Sequence, residues 1–347
     1  MSKICATQPN ITGGYLKKYL RPPKVFHDMN VSELLWRASM SPRILEYPIH
    51  LVPKVAFMFL TKGPVHLALL WENFFKGHQG LYSIYVHSSP SYEAASHPES
   101  PVFHERRIPS QVISFLLDLI LLQCSVLQHV LQEVEWGKAS LIEAVRRLLA
   151  NALLNISNQH FVLLSETCIP LYNFSTVYSY LINSTRTFVE VFDDPSSVGR
   201  GRYYLSNYTR ITVDQWRKGW AWFAIDREVA IESISDRKYF PEFLKCKGYC
   251  FPDEHYLPTF VHLKFAARNA NRTLTWVDWS KGGPHPTEYR SPNLTAALLS
   301  SLRSGYGRKC EYNGRSTDVC FLFARKFMPD TLDKLLRLAT QIMYFST

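Results

Sequence analysis

Two rhythms of apolar residues alternate along the chain. Lys54 to Leu60, Leu81 to Val86 and Phe161 to Leu164 are short, nearly continuous apolar runs, as strands buried on both faces require. The first ends at Lys62-Gly63-Pro64, a turn signal. Between the runs, apolar residues recur at helical spacing: Leu67, Leu70 and Phe74, then Ala139 to Leu154, then Val177 to Ile182. Thr187–Val191, Trp222–Ile225 and Thr273–Val277 read as later strands, and Thr331–Met343 as a closing helix. Strands alternating with helices predict an α/β fold around a mostly parallel central sheet flanked by helices.

Two stretches depart from this rhythm. Residues 1–31 are polar and irregular, with Gly13-Gly14 and Pro22-Pro23, and read as a leader to a single body spanning residues 32–347. Residues 112–133 are strongly apolar, but Asp118, Gln123, Gln128 and His129 make crossing a bilayer costly. A crossing there would also put the two halves of the sheet on opposite sides of a membrane. An extra helix, appended to the domain and outside its site, is the expectation.

Composition narrows the possible ligands. The 347 residues are 46% hydrophobic, enough for a large core, and 14% aromatic, which suits a carbohydrate site. The net charge of +10 could serve nucleic acid, an anionic membrane or an anionic substrate. No Lys/Arg block exceeds three residues and no nucleic-acid motif is present, so a dispersed basic surface facing a nucleotide diphosphate fits better than a nucleic-acid footprint. Seven cysteines are too few for a disulfide scaffold but suit a secretory enzyme with a few bridges. Cys246 and Cys250 bracket one segment; Cys310 and Cys320 bracket Glu311-Tyr312-Asn313-Gly314, whose Asn-Gly favours a hairpin turn. Neither pair has the His or Cys partners of a zinc site. Eight of the thirteen asparagines begin Asn-X-Ser/Thr, an acceptor motif with meaning only in a secreted chain.

The densest chemistry lies at Cys250-Phe251-Pro252-Asp253-Glu254-His255-Tyr256. Proline favours a first helical turn, which sets Asp253 and Glu254 where the helix dipole favours negative charge. Two capping acids are the plain alternative. The flanking segments, Trp216 to Phe223 and Thr275 to Ser280, supply aromatic faces on which sugar C–H groups stack. A carboxylate among them can take a proton from a hydroxyl.

From about Ser32 to Phe345 the chain resembles the plant branch of the core-2/I-branching β-1,6-N-acetylglucosaminyltransferases. The resemblance rests on Glu33-Leu34-Leu35-Trp36-Arg37-Ala38-Ser39-Met40, Pro53 to Gly63, Phe161 to Glu166, Phe192-Asp193-Asp194-Pro195, Asp214 to Gly219, Pro252 to Tyr256, Trp276 to Ser280 and Val319 to Phe327, all in one order. It implies a GT-A-like fold and an inverting transferase that uses a UDP-sugar donor and a glycan or glycoprotein acceptor. No metal ion is expected, and Asp193-Asp194 stands here in place of an Asp-X-Asp motif. The family's members carry a membrane anchor and stem and work in the Golgi. Residues 1–50 hold no comparable apolar run, so this chain reads as N-terminally shortened. Relatives also lack the 112–133 insertion.

Carried over residue by residue, the resemblance implies Glu254 as general base. Asp253 would shape the helix start or hold an acceptor hydroxyl. Lys326, with Arg325 beside it, would neutralise the leaving diphosphate, and Arg315 is a further candidate. A solvated basic residue is the plainer alternative for Lys326. Trp276 and Asp278, two apart on a strand and so on one face, would hold the acceptor, although Trp276 could also be core. Trp222, Arg217 and Lys218 would line the cleft. Glu166, ending a strand, would contact sugar or cap a helix. A glycoside hydrolase and a catalytically idle binding module are the rival classes; the first needs a second carboxylate and leaves Arg325-Lys326 unexplained.

Overall fold

The continuous apolar runs pair with one another, because a strand apolar on both faces needs neighbours and cover on both sides. The computed structural model describes residues 21–43, 47, 50–89, 92, 100–109, 134–204, 208–246 and 249–345. The first twenty residues and the 112–133 insertion lie outside these. The order is α1 (Val31–Ser39), β1 (Lys54–Leu60), α2 (Ala68–Phe75), β2 (Tyr82–His87), α3 (Ala139–Leu153), β3 (Asn158–Ser165), β4 (Ile169–Pro170) and α4 (Phe174–Ile182). Then follow β5 (Ala224–Asp226), α5 (Arg227–Ser235), α6 (Phe240–Leu244), α7 (Pro252–Phe265), β6 (Thr275–Val277), α8 (Ala296–Ser304), β7 (Cys310–Tyr312), β8 (Arg315–Thr317), β9 (Phe323–Arg325) and α9 (Leu332–Gln341).

The main sheet runs β2-β1-β3-β5, with β1 parallel to β2 and β3 and only β5 antiparallel. Alternation along β1 divides the core into two layers. Val55, Phe57 and Phe59 face α2, α4, α8 and α9, while Ala56, Met58 and Leu60 face the α3, α5 and α7 side. Phe57 meets Trp71, Phe74, Phe75 and Phe174 at ring-centroid distances of 5.0–6.3 Å, an aromatic knot that seals the first layer. A smaller sheet, β4-β9-β6, brings the Phe323–Arg325 strand beside Thr275–Val277. Asn313 (φ 50°) and Gly314 (φ 78°) turn the β7-β8 hairpin that the Asn-Gly pair predicts, and the Cys310–Cys320 disulfide braces it. A second disulfide joins Cys246 and Cys250, and Cys168 is a buried free thiol.

The expected strand at Thr187–Val191 does not form a ladder. Thr187 and Phe188 make isolated bridges, and the next donors go to side chains instead: Val189 N–H to Asn269 and Val191 N–H to Asn271. Two asparagine amides thus take the place of a neighbouring strand. Two glycosylation-motif asparagines also have structural work. Asn30 and Asn173 cap α1 and α4 by accepting the N–H of Glu33 and Thr176. Among the described residues no helix is long and apolar enough to cross a membrane.

Candidate functional site

Open parallel sheets leave a crevice beyond the carboxyl ends of their strands. Here Thr61 and Lys62 after β1, Ser89 after β2, and Glu166 and Thr167 after β3 border a cleft of about 320 Å³. The start of α7 closes another part of its lining with Asp253 and Glu254, and the end of β9 adds Arg325 and Lys326.

The α7 start is set by unusual backbone. Phe251 at the N-cap is left-handed (φ 43°), Pro252 is the first helical residue, and both acids stand in the first turn. Pro258 lies one turn further on and has no N–H to give the Glu254 carbonyl. Gly219 supplies the missing donor, its N–H reaching that carbonyl at 3.0 Å. Only glycine fits there, since a Cβ would sit 1.9 Å from the Glu190 carbonyl oxygen. The neighbour Lys218 is thereby drawn to the Glu254 carboxylate (3.6 Å), which also accepts from Arg202 at 2.5 Å.

Asp253 is buried beside it. Its Oδ2 accepts the Gly137 N–H at 3.2 Å, and its Oδ1, also buried, has no hydrogen-bond partner. Burial, with the charge of Glu254 adding to it, pushes its pKa up to about 7. Gly137 has φ 78°, and a Cβ there would meet the Phe251 ring at 2.7 Å, so this contact too depends on glycine.

Cations hold the β9 end. The Arg325 guanidinium is buried over the Trp222 ring (4.2 Å to the centroid) with Trp136 at 5.9 Å, and its Nε has no hydrogen-bond partner. Burial lowers its pKa from the ordinary guanidinium value. Arg325 therefore shapes the cleft wall by cation–π packing. Lys326 is partly exposed and pairs with Glu288 at 3.1 Å; the other Glu288 oxygen takes Arg290, also at 3.1 Å.

Trp276, in β6, and Asp278, just past its end, both reach the Tyr289 hydroxyl, but they line a neighbouring cavity of about 460 Å³; Val277 between them lines both. Trp220 and Trp279, stacked with centroids 4.9 Å apart, also belong to both linings. Trp276 packs edge-on against Phe321 and donates to Tyr289 Oη, so it is half core and half cavity wall. Glu190 also lines this second cavity. Its Oε2 is buried without a partner, and burial pushes its pKa up to about 7. Asp278 moves the other way, because hydrogen bonds from Ser280 and Tyr289 outweigh its burial and lower its pKa.

Glu254, Asp253, Glu166, Trp222, Arg325 and Lys326 thus line one cleft. Arg315 does not join them: it is exposed on the β7-β8 hairpin and lines neither cavity. Arg217 turns to the carbonyls of Asp214 and Trp216. Of the Asp193-Asp194 pair, Asp193 is engaged by Arg200, and Asp194 by the Ser196 N–H and, at 3.9 Å, by Lys218. Among the described residues no three His, Cys, Asp or Glu side chains gather as metal ligands. Sequence reading missed Glu190, Arg202, Glu288 and Arg290. Pro258, four residues after Glu254, was the legible clue that an outside donor must approach the helix start.

The profile of the Core-2/I-Branching enzyme family matches residues 55–116 and 118–303. A protein of rice (Oryza sativa subsp. japonica) named Glycosyltransferase BC10 is 32% identical over 329 residues, covering 82% of this chain and 76% of the rice protein.

Two outcomes follow from this geometry. Gly219→Ala must displace the Lys218–Trp220 segment, costing about 1–3 kcal/mol in denaturant unfolding and detaching Lys218 from Glu254. Unchanged stability would mean this segment can shift freely. For Asp253, a folded pKa near 7 lies above the unfolded value near 3.8, so the native state binds the extra proton between them. Wild-type stability should therefore fall relative to Asp253→Asn as pH rises from about 4 to about 7, then level off. A gap that does not vary with pH would contradict the burial argument.

Proposed function

The chain belongs to the core-2/I-branching enzyme family and is a glycosyltransferase, and from that premise we propose that it transfers N-acetylglucosamine from UDP to a glycan or glycoprotein hydroxyl, with inversion and without a metal ion. The observation that carries this reading is the single cleft at the strand ends that gathers Glu254 and Lys326 on its lining. Inverting transfer needs a base on the acceptor hydroxyl and positive charge on the departing diphosphate. Glu254 takes the hydroxyl proton while the acceptor oxygen bonds to the anomeric carbon. The bond from that carbon to the β-phosphate oxygen breaks, and its electron pair leaves with UDP. Arg202 and Lys218 fix the direction of the Glu254 carboxylate. Lys326, with Arg290 joined to it through Glu288, offers charge-assisted contacts to the phosphate oxygens where other enzymes use a cation.

The acceptor reading rests on the adjoining cavity. Trp276 and Trp279 give flat apolar faces, and the carboxyls of Asp278 and Glu190, one lowered and the other raised in pKa, offer hydrogen-bonding partners to sugar hydroxyls. Disulfides and the exposed motif asparagines Asn30, Asn271 and Asn293 support work in the Golgi lumen.

Glu254→Gln keeps the shape but not the basicity, so transfer should fall about 10²–10⁴-fold while UDP affinity holds. Wild-type turnover in this variant would sink the assignment. Lys326→Ala should weaken UDP at least about tenfold and uridine hardly at all, with activity indifferent to EDTA. Activity that depends on Mn²⁺ and vanishes on chelation would overturn the metal-free reading.

A further inference from the structure

The two carboxylate oxygens of Glu288 are spent on two different cations. Oε1 lies 3.1 Å from Lys326 Nζ and Oε2 lies 3.1 Å from Arg290 Nη2. Two phosphate oxygens of a diphosphate would make the same pair of contacts. The backbone explains the placement. Glu288 and Arg290 are two apart around Tyr289, whose N–H donates to the Lys326 carbonyl at 2.8 Å and whose carbonyl accepts from Met328 N–H at 3.0 Å. That bridge between the Tyr289 and Phe327 segments aligns them in parallel, and the Tyr289 ring stacks on Phe327 at 4.8 Å. Alternation then sends Glu288 and Arg290 to one side, with Tyr289 to the other, where it meets Trp276 and Asp278. Glu288 is partly exposed, and the two ion pairs lower its pKa, Lys326 first and Arg290 after it.

We propose that Glu288 is a resident counter-ion of the diphosphate site, competing with the nucleotide for Lys326 and Arg290 and setting its affinity. The proposal rests on the assignment of Lys326 to the diphosphate. In the empty enzyme the carboxylate keeps the two cations converged and cancels one of their charges. An entering diphosphate must break both contacts, and a departing one is replaced at once by a group tethered two residues from Arg290. Nucleotide affinity is thus held below what two unopposed cations would give, which favours release of the UDP product.

The test is UDP and uridine binding by calorimetry to wild type, Glu288→Gln, Lys326→Ala/Arg290→Ala and the triple variant, with thermal unfolding as a check on folding. Glu288→Gln keeps size and polarity but loses the charge, and should bind UDP about three- to tenfold tighter, with uridine unchanged. The gain should disappear in the triple variant relative to its Lys326→Ala/Arg290→Ala parent. Weaker or equal UDP binding by Glu288→Gln would overturn the proposal, as would a gain that persists without the two cations. Loss of UDP affinity in Lys326→Ala/Arg290→Ala shows that the diphosphate assignment stands whatever Glu288 does. No loss there would fail the assignment itself.

Discussion

The hydrogen bond from Gly219 N–H to the Glu254 carbonyl is the constraint around which the site is built. It exists because Pro258 leaves that carbonyl without its helical donor. A buried carbonyl left unpaired would cost about 1–3 kcal/mol, so an outside donor is close to obligatory. The strand-like segment that answers it brings Lys218 to the Glu254 carboxylate and Trp220 to the wall between the two cavities. A proline within α7 thus specifies where another segment must lie, and that segment carries the side chains that orient the acid. Gly219 is required for the approach because the Glu190 carbonyl leaves no room for a Cβ.

Charge in the site is arranged by pairing and burial together. Glu254 is held between Arg202 and Lys218, Lys326 is answered by Glu288, and the buried Arg325 is answered by the Trp222 ring instead of a carboxylate. Asp253 and Glu190 have no cation bonded to them and are raised by burial, so near neutral pH each holds a proton part of the time. Each lines a different cavity, Asp253 the strand-end cleft and Glu190 its neighbour. The net charge of +10 says nothing of this arrangement, since it sums a surface whose charges mostly face solvent.

The candidate site was legible in the sequence wherever chemistry is local. Pro252-Asp253-Glu254 announces acids in a first helical turn, and that is where they stand. Trp276 and Asp278, two apart, were expected to share a face, and both side chains reach the Tyr289 hydroxyl. Which cavity that face borders could not be read, because it depends on β6 pairing with β9, some fifty residues away in the chain. The same holds for Arg315: the family resemblance offered it as a weaker companion to Lys326, while the fold leaves it on an exposed hairpin and sets Arg290 beside Lys326 through Glu288.

The sequence by itself determined the strands and helices of the parallel core, the hairpin turn at Asn313-Gly314 and the acids at the start of α7. Each follows from apolar periodicity or from the φ preference of a few residues, which act over one or two turns of chain. Tertiary structure decided that Thr187–Val191 gives its N–H groups to Asn269 and Asn271 and forms no strand ladder. It also decided which cation faces which acid, and that one Trp pair would border two cavities. Those outcomes depend on side chains and backbone donors brought together from distant segments, and no local preference along the chain encodes who those partners are.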